Sequence, residues 1–197
     1  MNRFIFIIIL FCSCNQEIDE SQFLSGDTIF QESESSQSKA IQLATHSKYS
    51  HCGIIFKNNG KTYVLEAVQP VKLTALKTWI NKGKNNHYVL KRFAKTLNES
   101  QINSMKKTGQ KMIGIPYDLW FNWSDEKIYC SELVWKIYFE GAGIKLSELE
   151  KLGQFNLNSE EVRKKLKERY GNQIPINEPV VSPASLFNSN LLMTISF

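Results

Sequence analysis

The dipeptide Asn59-Gly60 separates two runs of residues that favour β-strands, and it constrains the fold more than any other feature of the chain. The runs cover residues 51–56 and 61–68. Asn-Gly is a preferred two-residue hairpin turn, because both central residues adopt a positive φ angle. We therefore predict an antiparallel hairpin. A two-residue turn places Asn58 opposite Lys61, so that paired residue numbers sum to 119, whereas a four-residue turn gives a sum of 117.

This hairpin brings a histidine and a carboxylate to one surface. Side chains two residues apart in a strand point to the same face of the sheet. In the first register His51 lies opposite Val68, and Glu66 points to the same side of the sheet as Val68. In the second register His51 lies directly opposite Glu66. A three-residue loop would separate the two side chains. In either of the first two registers, Cys52 is predicted to point to the opposite face from His51.

The remaining chain combines short strands with separate helices. Strands are predicted at residues 26–30, 88–93, 179–183 and 191–195, and helices at residues 39–44, 73–80, 99–113, 129–139 and 159–170. The chain has 197 residues, of which 42% are hydrophobic, and no linker divides it into two cores. We therefore predict one α+β domain over residues 23–197.

The first residues have the pattern of an export signal. Arg3 precedes an apolar run over residues 4–11, which is too short to span a bilayer, and Ser13 precedes Cys14. The pattern resembles a bacterial lipoprotein signal. We predict a signal peptide at residues 1–13, lipidation of Cys14, a solvated tether at residues 14–22, and an exported protein anchored by lipid to a bacterial membrane, in the periplasm or outer membrane. A plain secretory signal peptide is the alternative.

Cys130 is the candidate nucleophile. It follows a polar stretch and begins an apolar-periodic helix, where unpaired backbone N–H groups favour the thiolate and can bind an oxyanion. His51 is the candidate base, and Glu66 would hold its ring in one tautomer. A cysteine that only packs at a helix start is the alternative. The other two histidines, His46 and His87, have no neighbouring catalytic pattern.

Two cysteines remain beyond the predicted anchor, Cys52 and Cys130. A disulfide between them is one interpretation for an exported protein. Strand alternation argues against it: if Cys130 lies against His51, Cys52 is expected to point away from Cys130. We interpret Cys52 as a small core residue. The same alternation argues against a zinc site built from His51, Cys52, Glu66 and Cys130, so no metal is predicted.

Other features of the sequence limit the kinds of ligand and partner that we predict. Tyr117 and Tyr129 lie near Cys130 in sequence and are candidate substrate-binding residues through their phenol groups, with a packing role as the alternative. The formal net charge is only +5, and no basic stripe carries stacking aromatic residues, so we predict no nucleic-acid partner. No cofactor motif is present in the sequence, and the oligomeric state is open.

Three separated segments resemble a known family. They are THSKYSHCGIIF at residues 45–56, TYVLEAV at residues 62–68 and YCSELVW at residues 129–135. Together they resemble the YiiX-like branch of the NlpC-type cysteine peptidases, in which the papain-like fold is circularly permuted and the histidine precedes the cysteine. The similarity runs from about residue 26 to residue 144. Cys52 departs from the family pattern, which more often has an aliphatic residue there.

The resemblance implies a permuted papain-like fold, with an antiparallel sheet or partial barrel packed against helices. It implies Cys130 as nucleophile, His51 as base and Glu66 as the third member, acting on amide bonds in small peptides or cell-wall fragments. Two alternatives stay open. One is a lipid acyltransferase or thioesterase of the permuted type, although Tyr129-Cys130-Ser131-Glu132 differs from the Asn-Cys-Glu-His segment of that group. The other is a ligand-binding lipoprotein without catalytic activity.

Overall fold

A computed structural model describes residues 18–196. Its strands are β1 (Thr28–Gln31), β2 (His51–Asn58), β3 (Lys61–Glu66), β4 (Lys72–Ala75), β5 (Tyr88–Phe93), β6 (Glu150–Lys151), β7 (Pro179–Val180) and β8 (Leu192–Ile195). Its α-helices are α1 (Ser36–Thr45), α2 (Leu76–Ile80), α3 (Glu99–Met112), α4 (Cys130–Ala142), α5 (Glu160–Tyr170) and α6 (Pro183–Phe187). The predicted α+β class is confirmed.

Six of the strands form one open sheet in the order β4-β3-β2-β1-β5-β8, and every neighbouring pair is antiparallel. The sheet has two free edges and therefore does not close into a barrel. Helices pack against it. β6 and β7 form a separate two-stranded ribbon. The last strand, β8, pairs with β5, which ties the C-terminal part of the chain to the main sheet.

The hairpin has the register that a two-residue turn requires. Asn58 pairs with Lys61, and Ile54 pairs with Leu65, so paired numbers sum to 119 as predicted. Asn59 and Gly60 have φ angles of 49° and 76°. These are the left-handed values that favour Asn and Gly at a tight turn.

The sheet separates two hydrophobic clusters. On one face, Cys52, Ile54 and Leu65 pack against α4 through residues such as Leu133 and Ile137. On the other face, Ile55 and Val64 pack with Trp79 of α2, Phe23 and Leu90. The alternation of β2 therefore sends odd-numbered residues to the α2 face and even-numbered residues to the α4 face. His51 and Cys52 lie on opposite faces, as the sequence predicts.

Three predicted elements have wrong boundaries. The strand predicted at residues 179–183 is only the two residues of β7, because Ser182 caps helix α6 and Pro183 begins it. The segment 73–80 was predicted as a helix, but its first part is strand β4, because pairing with β3 satisfies its backbone and outweighs helix propensity. The helix from Cys130 was predicted to end before Gly141, but it runs to Ala142 and is capped by Gly143, whose φ angle is 68°. Gly141 lies inside the helix, where a Cβ atom would be 2.6 Å from the Cα of Met105 in α3.

The features predicted at the N-terminus, which are the signal peptide, lipidation of Cys14 and most of the tether, lie outside residues 18–196. Residues 18–22, which the sequence assigns to the tether, contact the domain. Ile18 packs against the α2-face cluster, and the Glu20 carboxylate accepts a hydrogen bond of 3.1 Å from the backbone N–H of Thr62. Within the described residues no helix combines the length and apolar character that a membrane span requires.

The C-terminal part of the chain covers the N-terminal end of α4. Helix α5 packs against α1 through a third cluster that contains Ala40, Leu152, Val162 and Leu166. Strand β7 and the start of α6 pass beside the first residues of α4, where the Ser131 hydroxyl donates to the Val181 carbonyl oxygen over 2.8 Å. Residues 153–197 thus help to build the surroundings of Cys130.

Candidate active site

Helix α4 positions Cys130. Tyr129 is its extended N-cap residue, and the Glu132 carboxylate accepts a hydrogen bond of 3.4 Å from the Tyr129 backbone N–H. Cys130 is therefore the first residue of a 13-residue helix, beside N–H groups that have no partner inside the helix. It is buried against the sheet in the α4-face cluster. The helix dipole and these N–H groups stabilise negative charge at its sulfur.

Strand β2 positions His51, which is the first residue of the strand. Its Nε2 atom lies 2.7 Å from Oε2 of Glu66 in β3. The imidazole ring stacks on the Trp79 ring, with centroids 5.8 Å apart and planes inclined by 26°. Only the edge of the His51 side chain stays accessible, at 13% exposed. The ring orientation is thus determined by one carboxylate and one aromatic plane.

Glu66 is buried and held on both oxygens. Its Oε1 atom accepts a hydrogen bond of 2.6 Å from the Thr74 hydroxyl in β4, and the Lys82 ammonium lies 3.5 Å from the same oxygen. Burial raises the pKa of Glu66, but the hydrogen bond and the charge of His51 outweigh this effect and lower the pKa to about 2. Glu66 is therefore a carboxylate at every physiological pH.

His51 also makes a hydrogen bond to Cys130. Since Nε2 faces Glu66, the nitrogen that faces the sulfur is Nδ1. Burial lowers the pKa of His51, but its hydrogen bonds to Cys130 and Glu66 raise it more, to about 10. The pKa of Cys130 lies well below its usual range. Hydrogen bonding from Cys52 is the largest cause, and the hydrogen bonding and charge of His51 lower the pKa as well. Burial alone would raise it. The directions of the two pKa shifts favour a thiolate on Cys130 and an imidazolium on His51.

Cys52 contacts Cys130, so the prediction that it points away from Cys130 is wrong. Hydrogen bonding from its thiol and its backbone N–H is among the causes that lower the pKa of Cys130, and both side chains lie in the same buried cluster. Alternation along β2 is as predicted, but α4 docks on the Cys52 face, and His51 reaches Cys130 because it lies at the strand end. Burial and the Cys130 charge raise the pKa of Cys52, which keeps its thiol protonated as a donor. Both cysteines are free thiols.

The two predicted substrate-binding tyrosines have different surroundings. The Tyr117 hydroxyl accepts a hydrogen bond of 2.9 Å from the Gln37 side-chain amide, which leaves its own proton free to donate. Burial and the nearby Cys130 charge raise the pKa of Tyr117 well above its usual range. The Tyr129 hydroxyl instead accepts a hydrogen bond of 3.1 Å from the Val181 backbone N–H. Tyr129 thus fastens β7 to the start of α4, and a substrate role for either residue stays a prediction.

Two cavities meet at this centre. We call one the polar groove, after the polar side chains of His51, Tyr117, Gln37, Ser33, Ser35 and Gln69; apolar side chains such as Val68, Leu119 and Trp120 line it as well. We call the other the apolar chamber; it has a volume of about 710 Å³ including its opening, and Cys130 is among its lining residues. Gln37 and Ile41 of α1 line both. The reactive pair therefore lies between a polar space and an apolar space.

Sequence reasoning missed four contributors: Thr74, Trp79, Lys82 and Gln37. Thr74 was hidden by the wrong helix prediction, although a strand there would have placed it beside β3. Trp79 and Lys82 lie on and just after α2, a short helix whose position depends on packing. Gln37 contacts Tyr117 across 80 residues of sequence, and no local pattern indicates that contact.

Comparison with known proteins places this arrangement in a family. Residues 22–196 match the model of the family described as "Permuted papain-like amidase enzyme, YaeF/YiiX, C92 family". The chain belongs to this family. The predicted permuted papain-like fold and the YiiX-like resemblance are therefore confirmed. Membership makes the chain a cysteine hydrolase of the amidase type in general.

Two relatives within the family are closely similar. The Escherichia coli (strain K12) protein recorded as "Uncharacterized protein YiiX" is 49% identical over 172 residues, which cover 87% of this chain and 85% of that protein. The crystal structure of YiiX from Escherichia coli O157:H7 has a TM-score of 0.86 and 49% identity, and the match covers 89% of this chain and 97% of that chain.

That crystal structure is described as one of a metalloprotein. In residues 18–196 of the present chain, no group of three or more His, Cys, Asp and Glu side chains is arranged to hold a metal ion. Strand alternation does not by itself exclude a zinc site, since Cys52 and His51 both act on Cys130. However, the Glu66 oxygens are already hydrogen-bonded to His51 and Thr74, so the donor set does not fit a metal.

Proposed function

We propose that this protein hydrolyses amide bonds through the Cys130 thiolate, with His51 as general acid and base and Glu66 as the residue that orients His51. One observation carries the proposal. The His51 ring interacts with both groups: its Nε2 atom lies 2.7 Å from Glu66, and hydrogen bonding and charge from Cys130 raise its pKa. This is the nucleophile, base and orienting group of a cysteine hydrolase.

The reaction proceeds in two steps. The Cys130 sulfur attacks the amide carbonyl carbon, and a tetrahedral intermediate forms. As the C–N bond breaks, the proton on His51 Nδ1 passes to the departing amine, which leaves an acyl thioester on Cys130 and a neutral His51. His51 then takes a proton from water, the water oxygen attacks the thioester carbonyl, and the C–S bond breaks to release the acid.

The intermediate's oxyanion needs hydrogen-bond donors. The free N–H groups at the start of α4 are one source, and the Tyr117 hydroxyl, whose oxygen already accepts from Gln37, is another. Its raised pKa keeps this hydroxyl protonated, and so a donor, at neutral pH. Tyr117 is therefore assigned to the oxyanion in this proposal.

The polar groove is assigned to the departing amine. Its serine, glutamine and histidine side chains offer hydrogen bonds, and His51, the proton donor, is among them. A small peptide or a cell-wall fragment would supply such a polar amine. The export signal at residues 1–13 and lipidation of Cys14 are part of the same proposal, since a lipid anchor at the cell envelope would hold the enzyme near such substrates.

Acyl transfer to an alcohol instead of water is a second candidate, favoured by the apolar chamber beside Cys130. Analysis of the products by mass spectrometry distinguishes the two: hydrolysis gives the free acid, and in water enriched in ¹⁸O the acid carries the label. Transfer gives an ester that forms only when an alcohol acceptor is added.

The test is amide turnover by the purified protein and its Cys130→Ala variant, with Cys130→Ser as a second nucleophile control. We expect an acyl adduct on Cys130 in the wild type, trapped by acid quenching, and a loss of turnover in Cys130→Ala of about 10³-fold or more. Thermal unfolding shows whether the variants are folded. Equal turnover by the wild type and a folded Cys130→Ala variant would overturn the proposal.

A further inference from the structure

The polar groove contains positive charge and no carboxylate. Of the described residues that line it, His51 and Lys127 are the two that can carry a positive charge, and none is Asp or Glu. The His51 ring is already paired with the Glu66 carboxylate at 2.7 Å. Lys127 therefore makes the groove attractive to an anionic ligand.

Lys127 has no acidic partner within the described part of the chain. Its side chain is exposed, and its ammonium belongs to none of the ion pairs among residues 18–196. Asp125, which lies two residues before it in the chain, is paired with Lys136 at 2.7 Å. A ligand that binds Lys127 therefore does not have to break an existing ion pair.

The Trp120 side chain holds the Lys127 ammonium at the groove wall. The ammonium nitrogen lies 5.0 Å from the centroid of the Trp120 ring, which also lines the groove. The indole N–H donates to the Arg169 carbonyl oxygen over 3.2 Å, and the Trp120 backbone N–H donates to the buried Asp118 carboxylate over 2.8 Å. Because the ring is fixed in this way, the ammonium has a defined position beside the groove.

The backbone at Lys127 is tied to the segment that carries Tyr117. The next residue, Ile128, forms a parallel bridge with Tyr117, and its N–H donates to the Pro116 carbonyl oxygen over 3.0 Å. Cys130 is three residues beyond Lys127, a separation of at most about 10 Å along the chain. Lys127 is therefore placed to contact a group that lies close to the scissile amide.

We propose that Lys127 binds a carboxylate on the departing amine, so that the preferred substrates are peptides cleaved at their last peptide bond and the released amine is a free amino acid. This inference rests on the proposed function, which assigns the groove to the departing amine. Lys127 forms no covalent bond and transfers no proton in it. The covalent steps are those given above, and Lys127 determines which amides are preferred.

Matched pairs of acetylated dipeptides test this, one member with a free C-terminal carboxylate and the other with a C-terminal amide, and with L- or D-alanine as the last residue. Release of alanine or alaninamide is measured by mass spectrometry. We expect kcat/KM to be about tenfold higher for the carboxylate, mainly through a lower KM, since a charged hydrogen bond is gained on binding. The preference should decrease in about 1 M NaCl, because salt screens an exposed pair.

Two outcomes separate this inference from the proposed function. If turnover depends on Cys130 but kcat/KM is equal for the carboxylate and the amide, the role of Lys127 is overturned and the proposed function stands. If no pair shows turnover that depends on Cys130, both are overturned.

Variants of Lys127 give a second readout. Lys127→Gln is expected to lower kcat/KM for the carboxylate about tenfold and to leave the amide within about twofold of the wild type. Lys127→Arg keeps the charge and should retain the preference. Lys61→Gln is the matched control, since Lys61 is an exposed lysine at the hairpin turn, at the opposite end of β2 from His51.

Thermal unfolding shows whether each variant is folded. An equal loss on both substrates in folded Lys127→Gln would contradict a contact between Lys127 and the carboxylate. If Lys127→Gln does not fold, Lys127→Arg and the salt dependence of the wild type decide: a preference that is unchanged in about 1 M NaCl overturns the inference.

Discussion

Cys52 and Cys130 lie in one buried cluster, and hydrogen bonding from the Cys52 thiol and backbone N–H lowers the pKa of Cys130. A buried thiolate is stabilised here by a neighbouring thiol that is itself kept protonated by burial. Cys52 is thus a positioning residue for the charge on Cys130, and its neighbour in β2, His51, supplies the counter-charge. His51 and Cys52, which are adjacent in β2, therefore both stabilise the negative charge on the Cys130 sulfur.

Replacing Cys52 is expected to weaken the thiolate. In Cys52→Ala the pKa of Cys130 should rise, since one donor is lost, and the midpoint of the pH profile for alkylation by iodoacetamide should move up by about one pH unit. Cys52→Ser keeps a donor and should retain most of the reactivity. The alkylation rate as a function of pH measures this, and identical profiles for Cys52→Ala and the wild type would contradict the assigned hydrogen bond.

Glu66→Gln is expected to reduce kcat by about 10² to 10⁴, because the amide carries no negative charge and can also donate to His51, so the ring tautomer is no longer determined. KM should change little, since Glu66 is buried behind the ring and does not line the polar groove. Thr74→Val leaves the Glu66 carboxylate in place but removes the hydrogen bond of 2.6 Å that the Thr74 hydroxyl donates to it. We expect a smaller decrease in kcat for this variant. Steady-state kinetics on both variants checks the order, and a loss confined to KM would be inconsistent with an orienting role.

The pH profile should be a broad plateau. Activity is lost at low pH when the Cys130 thiolate is protonated, and the lowered pKa of Cys130 moves that limb toward acid. It is lost at high pH when His51 gives up its proton, and that pKa is raised to about 10. In Glu66→Gln the high-pH limb should move to lower pH, because Glu66 is one cause of the raised pKa. Measuring kcat/KM across the pH range tests this, and an unmoved limb would exclude His51 as its source.

Tyr117→Phe removes the hydroxyl assigned to the oxyanion. We expect kcat to fall about 10²-fold to 10³-fold, the usual loss for one such donor, with little change in KM. Gln37→Leu keeps the tyrosine but removes its 2.9 Å hydrogen-bond donor, and is expected to have a smaller effect. Equal kcat values for Tyr117→Phe and the wild type would remove Tyr117 from the mechanism.

Gly141→Ala tests the packing of α4 on α3. Its Cβ atom would lie 2.6 Å from the Cα of Met105, which is backbone and cannot move aside cheaply. We expect the free energy of unfolding to fall by about 1–3 kcal/mol. Gly143→Asn, two residues on, is the control, since Asn tolerates the φ of 68° and no atom lies within 4 Å of its Cβ position. Denaturant unfolding of both variants decides, and equal stability would mean that α3 and α4 separate without cost.

Local signals in the sequence predicted the hairpin and its register. Asn59-Gly60 specifies the turn, and the period of two in a strand then places His51 and Glu66 on one face without knowledge of any other element. The helix start at Cys130 was also readable, because a polar stretch gives way there to apolar spacing. These features depend on residues close together in the chain.

Contacts between distant elements could not be predicted in the same way. The sequence placed Cys52 on the correct face of β2 but did not indicate that α4 docks on that face, because docking depends on the whole sheet. Thr74 was lost with the misread strand β4. The polar groove and the apolar chamber depend on where α1 and α5 lie relative to Cys130, and α5 comes after residues in which no motif was recognised.

The position of His51 at the first residue of β2 makes the catalytic centre sensitive to strand register. A slip of β2 by one residue against β1 and β3 would turn the imidazole to the α4 face and the Cys52 thiol to the α2 face, which separates His51 from Glu66 and Cys52 from Cys130. Insertions or deletions within the pairing segments of this hairpin should therefore abolish activity outright, even when the hydrophobic core can still form. Changes of loop length outside the paired strands leave the register of β2 intact, so we expect them to preserve the catalytic centre.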